Sequence, residues 1–148
     1  MAQSVKASAL RFLKIRPRSI EELKGKLAGK GFSEEEITAT VDYLTDIKLL
    51  DDRSFTRSWI AYRLARPFGF RRIILELKEK GVPQDIIDEA IAEIKPQVSE
   101  ADTVAEMAQR RYKRLRGEPQ QKRKRVLDYL ARRGFELDAI YKALKKLL

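Results

Sequence analysis

The side chains packed densely enough in this sequence to do chemistry are cations. Residues 110–125 hold Arg110, Arg111, Lys113, Arg114, Arg116, Lys122, Arg123, Lys124 and Arg125, nine positive charges in sixteen positions. Like charges at that density repel one another, and nearby acids are too few to pair with them. A merely solvated face mixes signs, as Glu21, Glu22, Lys24 and Lys26 do. The run therefore reads as a surface for an anionic partner, either a nucleic acid backbone or an acidic protein face. Arg132 and Arg133 extend it, although a cation there also suits a helix C-terminus. A smaller cluster, Arg63, Arg66, Arg71, Arg72 and Lys78, lies mid-chain. Arg71 and Lys78 share a helix face, while Arg72 is spaced to pair with Glu76, so partner-binding and structural readings both stand for this cluster.

Other chemistry is largely excluded. Histidine and cysteine are absent from the 148 residues, which removes zinc sites, thiol nucleophiles, disulfides and histidine-based triads. Glu34, Glu35 and Glu36 open a helix and Asp51-Asp52 precede one, so these acids read as caps rather than as metal or acid–base groups. Gly29-Lys30-Gly31 lacks the G-x-x-x-x-G-K-[ST] spacing of a phosphate loop. The expectation is a non-enzymatic protein without metal or cofactor. No run of eighteen apolar residues occurs, and Met1–Leu10 carries no leader-like apolar stretch, so a cytoplasmic protein without a membrane span is expected. The net charge of +10 is uneven: residues 99–148 carry 14 cations against 7 acids, whereas 1–50 carry 9 against 7 and 51–98 carry 9 against 8.

What positions these groups is a threefold repeat. Gly31, Gly81 and Gly134 stand 50 and 53 residues apart with matching flanks. Eight residues before each glycine come Leu23, Ile73 and Val126, and four before come Leu27, Leu77 and Leu130. Lys30, Lys80 and Arg133 precede the glycines; Phe32, Val82 and Phe135 follow them. Ile37, Ile87 and Ile140, then Val41, Ile91 and Leu144, then Leu44, Ile94 and Leu147 continue at helical spacing. Each unit is thus a helix ended by a left-handed glycine and followed by a second helix. Ser19 with Glu22 and Ser33 with Glu36 fit capping boxes, and Pro83 and Pro119 suit first turns.

A further helix precedes each pair, over about 4–16, 52–65 and 99–116. Period-two alternation is missing throughout. The predicted fold is all-α: three tandem three-helix repeats, at 1–50, 51–98 and 99–148, in an elongated, curved stack. In the first helix of the middle repeat Phe55, Trp59 and Tyr62 share one face, with Ile60 and Leu64 nearly opposite. Such a helix needs cover on two sides, as the central member of a stack has, and Trp59 reads as core rather than as a ligand platform.

The ordered set of these residues resembles the RecX family over nearly the whole chain. The middle-repeat pattern is Leu49-Leu50-Asp51-Asp52, Phe55, Trp59, Tyr62-Arg63, Gly69, Arg72-Ile73, Glu76-Leu77 and Lys80-Gly81. Ala9-Leu10-Arg11, Ser19, Glu22-Leu23, Leu27 and Gly31-Phe32 are similar to the family's first repeat. Leu130, Arg132-Arg133-Gly134-Phe135 and Ile140 are similar to its third. Trp59 departs from the family's usual tyrosine or phenylalanine, and Phe70 from a small residue or proline. The resemblance implies a regulator of the RecA recombinase that binds the RecA filament on single-stranded DNA, and the chain itself is expected to act as a monomer. Its implied effects are to suppress RecA ATPase and strand exchange and to limit recombination and the SOS response. The tandem three-helix units and the basic third repeat also admit a non-sequence-specific DNA-binding protein built of helix-turn-helix-like units.

Overall fold

A computed structural model of the chain describes residues 4–147; the outermost residues of the first and third repeats lie outside it. The described residues form helices α1 (Val5–Ile15), α2 (Ile20–Gly29), α3 (Glu34–Asp46), α4 (Asp52–Leu64), α5 (Phe70–Glu79), α6 (Gln84–Ile94), α7 (Glu100–Arg114), α8 (Pro119–Arg132) and α9 (Leu137–Lys145). A short 3-10 turn, Lys95–Gln97, follows α6, and no strand occurs among the described residues. Three helices per repeat is the arrangement expected from the glycine-punctuated pattern.

The local reasons are visible at each helix end. Ser19 and Ser33 both close capping boxes, their hydroxyls accepting the N–H of Glu22 and Glu36 while those glutamates accept the serine N–H. Each such cap contributes about 1 kcal/mol. Pro119 occupies the first turn of α8, where its missing N–H costs nothing, whereas Pro83 stands just ahead of α6 and offers its carbonyl to Ile86 and Ile87. All three repeats stop their second helix in the same way. Gly31, Gly81 and Gly134 have φ of +91°, +76° and +87°, and the residue after each donates its N–H to the carbonyl five back, at Leu27, Leu77 and Leu130.

The chain divides into two compact units, residues 1–59 with 77–90, and residues 60–76 with 91–148. In the first unit α1, α2 and α3 touch pairwise around Ala9, Leu23, Leu27, Ile37, Val41, Leu44 and Leu50. Full burial of each leucine there contributes about 2 kcal/mol. This repeat meets the turn after α5: the Ser19 hydroxyl donates to the Lys80 carbonyl at 2.6 Å, and Lys80 Nζ donates to Glu22 at 3.2 Å. A Cβ on Gly81 would lie 2.5 Å from Glu21 Cβ. Asp52, expected to cap its own helix, is buried and instead accepts the N–H of Ile20, capping α2 from 32 residues away. Its neighbour Asp51 does the local capping, accepting from Arg53.

In the second unit α7, α8 and α9 touch pairwise around Val104, Ala108, Val126, Leu130, Phe135 and Ile140. The turn after α8 meets the start of α5 just as the turn after α5 meets the start of α2. Gly69 N–H donates to the Arg133 carbonyl at 2.9 Å and Arg71 N–H to the Gly134 carbonyl at 3.2 Å. A Cβ on Gly69 would lie 2.2 Å from Gly134 O, so backbone packs directly on backbone. The Glu100 carboxylate accepts N–H groups from Glu136 and Phe70 and thereby ties α9 and α5 together; burial raises its pKa.

Both faces of α4 contribute buried side chains, Phe55 on one and Ile60 on the other. Trp59 is half-buried, stacked on Phe55 at 6.2 Å and covered by Lys80 Nζ at 4.3 Å from the ring. Tyr62 departs from the core expected of that face, for it is 48% exposed.

Candidate anion-binding surface

Residues 110–125 do not form one uniform cationic strip, because the helix phase sorts them. Lys113, Arg114 and Arg116 at the end of α7, with Lys124 and Arg125 on α8, are exposed and pair with no carboxylate of a described residue. Arg110 is exposed too, and reaches Glu106 one turn back at 2.6 Å in a largely solvated pair. Arg111 and Lys122 turn sideways onto rings, the guanidinium 4.1 Å over Tyr129 and the ammonium 3.9 Å over Tyr112. Arg123 points inward and donates to the Leu147 carbonyl at 2.6 Å, closing the end of α9.

The third repeat differs from the other two in one structural respect at this junction. α8 begins at Pro119, fifteen residues before Gly134, whereas α2 and α5 begin eleven residues before Gly31 and Gly81. α8 thus starts four residues earlier, an added helical turn about 6 Å long. It places Lys122 where Ser19 and Gly69 start their helices.

The mid-chain cluster is sorted likewise. Arg63 donates to Glu76 at 2.8 Å through Nε, and through Nη2 as well, with both side chains largely buried. Arg72 reaches Glu76 at 3.4 Å and the Arg132 carbonyl at 3.1 Å. Arg133 Nη1 donates to the carbonyls of Arg66 and Pro67, both at 2.9 Å. Arg66 lies 4.1 Å over Tyr62. Phe68 is flanked by the guanidiniums of Arg63, Arg133 and Arg72 at 4.3, 4.6 and 5.5 Å from the ring centre. Arg133 also sits 5.2 Å from the Tyr129 ring that Arg111 covers. The two clusters that look separate in sequence are therefore joined, within the second unit, by Arg133 between Phe68 and Tyr129. Arg71, Lys78 and Arg132 are exposed.

Sequence reasoning missed the rings. Phe68, Tyr129 and Tyr112 hold cations, and the signal that could have found them is their position beside cation-rich turns. No group of three or more acidic residues able to hold a metal occurs among the described residues, and none of their helices is long and apolar enough to cross a membrane.

Comparison with known proteins gives one consistent result. Family profiles described as the first, second and third three-helix domains of RecX match residues 6–44, 51–91 and 99–144. A protein named regulatory protein RecX from Prosthecochloris aestuarii is 36% identical over 144 residues, covering 95% of this chain and 91% of its own. A protein of the same name from Vibrio campbellii is 33% identical, covering 95% and 90%. Another from Mycolicibacterium smegmatis is 32% identical, covering 94% and 77%. In fold, the chain superposes on the crystal structure of RecX from Lactobacillus salivarius with a TM-score of 0.79 at 21% identity, covering 97% of this chain and 94% of that one.

Proposed function

The chain belongs to the RecX family, and from that premise we propose that it is a non-enzymatic cytoplasmic regulator that binds the RecA–single-stranded DNA filament and restrains its ATPase and strand exchange. Its relatives are named as regulatory proteins. The observation that carries the contact surface is the projection of Lys113, Arg114, Arg116, Lys124 and Arg125 into solvent without carboxylate partners. Five unneutralised charges over one helix junction favour a polyanionic or acidic partner, and their mutual repulsion falls when such a partner arrives. On this reading the three repeats span 1–50, 51–98 and 99–148, the third supplies contact and the chain acts as a monomer.

The test is RecA ATP hydrolysis on single-stranded DNA with the natural chain and with those five cations changed to glutamate. The natural chain slows hydrolysis at substoichiometric amounts, and the variant, still helical, needs at least about tenfold more, a loss of about 1.4 kcal/mol. Equal inhibition by both moves the contact elsewhere; no inhibition by either removes the proposal.

A second reading, direct binding to DNA, rests on the same exposed cations. If all five contact phosphates, log Kd on single strands varies with log salt by a slope of about 3.5. A shallow slope without RecA excludes that reading and leaves the first intact.

A further inference from the structure

The two joints between repeats are built on equivalent positions but carry opposite electrostatics. Counting back from the glycine, Glu22 and Arg72 each stand nine residues before their own repeat's glycine, and Lys80 and Arg133 each stand immediately before the next one. In the first joint these positions make an acid–base pair, Lys80 Nζ to Glu22 at 3.2 Å. In the second they are two arginines, Arg72 and Arg133, flanking the same Phe68 ring at 5.5 and 4.6 Å. Where the first joint has an acid–base pair, the second has a cation at both positions.

Among the described residues of the second unit one carboxylate, Glu76, pairs with these guanidiniums, and Arg63 and Arg72 share it. Glu76 reaches Arg72 at 3.4 Å, but both of its oxygens already serve Arg63. The remaining acceptors are neutral: the carbonyls of Arg132, Arg66 and Pro67. Arg111 adds a third guanidinium, on the Tyr129 ring that Arg133 also approaches. A guanidinium carries five N–H donors in a planar fork that suits a tetrahedral oxyanion, and carbonyls occupy only part of the set on Arg72 and Arg133.

We propose that the joint between the second and third repeats is a phosphate-binding site in which Arg72 and Arg133, with Arg111 beside them, hold a phosphate group that tightens the joint. The first joint, with Glu22 in the equivalent place, is not one. The phosphate supplies the negative charge that Glu22 supplies in the first joint, and its source is either free phosphate or a nucleic acid backbone. The site is distinct from the five exposed cations of α7 and α8, so it stands or falls independently of the filament contact proposed above.

Amide exchange reads the joint directly, since Gly69 and Arg71 N–H groups bond across it to Arg133 and Gly134, while Ile20 N–H bonds across the first joint to Asp52. Exchange is compared in chloride, in inorganic phosphate at equal ionic strength and with a short oligothymidylate. At a ligand concentration about ten times Kd, protection at Gly69 and Arg71 rises roughly tenfold, with Ile20 unchanged. Arg72→Glu, which installs the acid of the first joint, and the milder Arg72→Gln both abolish the response, whereas Lys26→Gln, on an exposed face of the first repeat, keeps it. A response to oligothymidylate alone that Arg72→Gln abolishes supports the site and identifies a backbone phosphate as its ligand. The proposal is overturned if neither ligand acts, if all three amides respond alike as in a general salting effect, or if Arg72→Gln responds as the natural chain does.

Discussion

Replacing Gly134 by alanine separates the two reasons for a glycine at the end of a repeat's second helix, and Gly31→Ala is its control. Both residues adopt a left-handed conformation, φ +87° and +91°, which costs a residue with a Cβ about 1 kcal/mol. Around Gly31 an added Cβ meets nothing within 4 Å. At Gly134 it would lie 2.3 Å from Arg72 Cβ and 2.4 Å from Arg72 N, distances that only movement of the α5 backbone relieves. Such overpacking adds about 1–3 kcal/mol, so Gly134→Ala is expected to cost about 2–4 kcal/mol against about 1 for Gly31→Ala. Urea unfolding followed by helicity gives both values. Exchange at the Gly69 and Arg71 amides localises the excess, because their acceptors lie on the displaced turn. Equal costs for the two substitutions, with no loss of protection at those amides, would refute the joint as described.

Two further predictions concern the first unit. Lys48 follows the last turn of α3 with φ +63°, and Lys48 and Leu49 donate their N–H groups to Thr45 and Leu44 as a helix-ending glycine motif does; Lys48→Gly is expected to raise stability by about 0.5–1 kcal/mol in the same unfolding assay, and a loss would contradict this. Burial would raise the Glu22 pKa, but Arg16, the Ser19 N–H and Lys80 outweigh it and hold the carboxyl at about 2. A depressed carboxyl pKa adds stability that is present above its unfolded value near 4.5 and is lost as pH falls towards 2. After discounting for solvent, that contribution is about 1–2 kcal/mol. The difference in unfolding free energy between the natural chain and Glu22→Gln should therefore shrink as pH falls below about 4.5, and a constant difference down to pH 3 would exclude the linkage. Comparing the two chains cancels Glu100, whose pKa burial raises, whereas Asp52, raised by burial and in part by the Glu22 charge itself, cancels only partly.

The repeat was legible because its determinants are local. A glycine, the apolar residues four and eight before it and a Ser-x-x-Glu box all act within a few turns of one helix, so linear spacing exposes them. The joints were not legible, because they connect residues about sixty apart whose partners are backbone carbonyls: Ser19 with Lys80, Gly69 and Arg72 with the turn at Arg132–Gly134. For the same reason the basic run looked uniform. Composition shows that Arg123 and Arg125 are both charged; only the fold turns one onto the Leu147 carbonyl and leaves the other in solvent. Asp52 illustrates the converse error, since its place before a helix suggested a local cap while its carboxylate serves α2. Tyr62 lies on the same helical face as Phe55 yet stands half exposed, which periodicity over one helix cannot foresee.

The proposed function has this chain engage a RecA filament through the exposed cations of its third repeat. Because the sequence has no cysteine, a single cysteine introduced at the exposed Thr38 carries a fluorophore without side reactions, and anisotropy then follows binding to preformed RecA–single-stranded DNA filaments and to the same DNA alone. Saturable binding to filaments is expected, tighter than to bare DNA and weakened at least about tenfold when Lys113, Arg114, Arg116, Lys124 and Arg125 are reversed. Filament binding that is absent, or that survives the reversal unchanged, contradicts it.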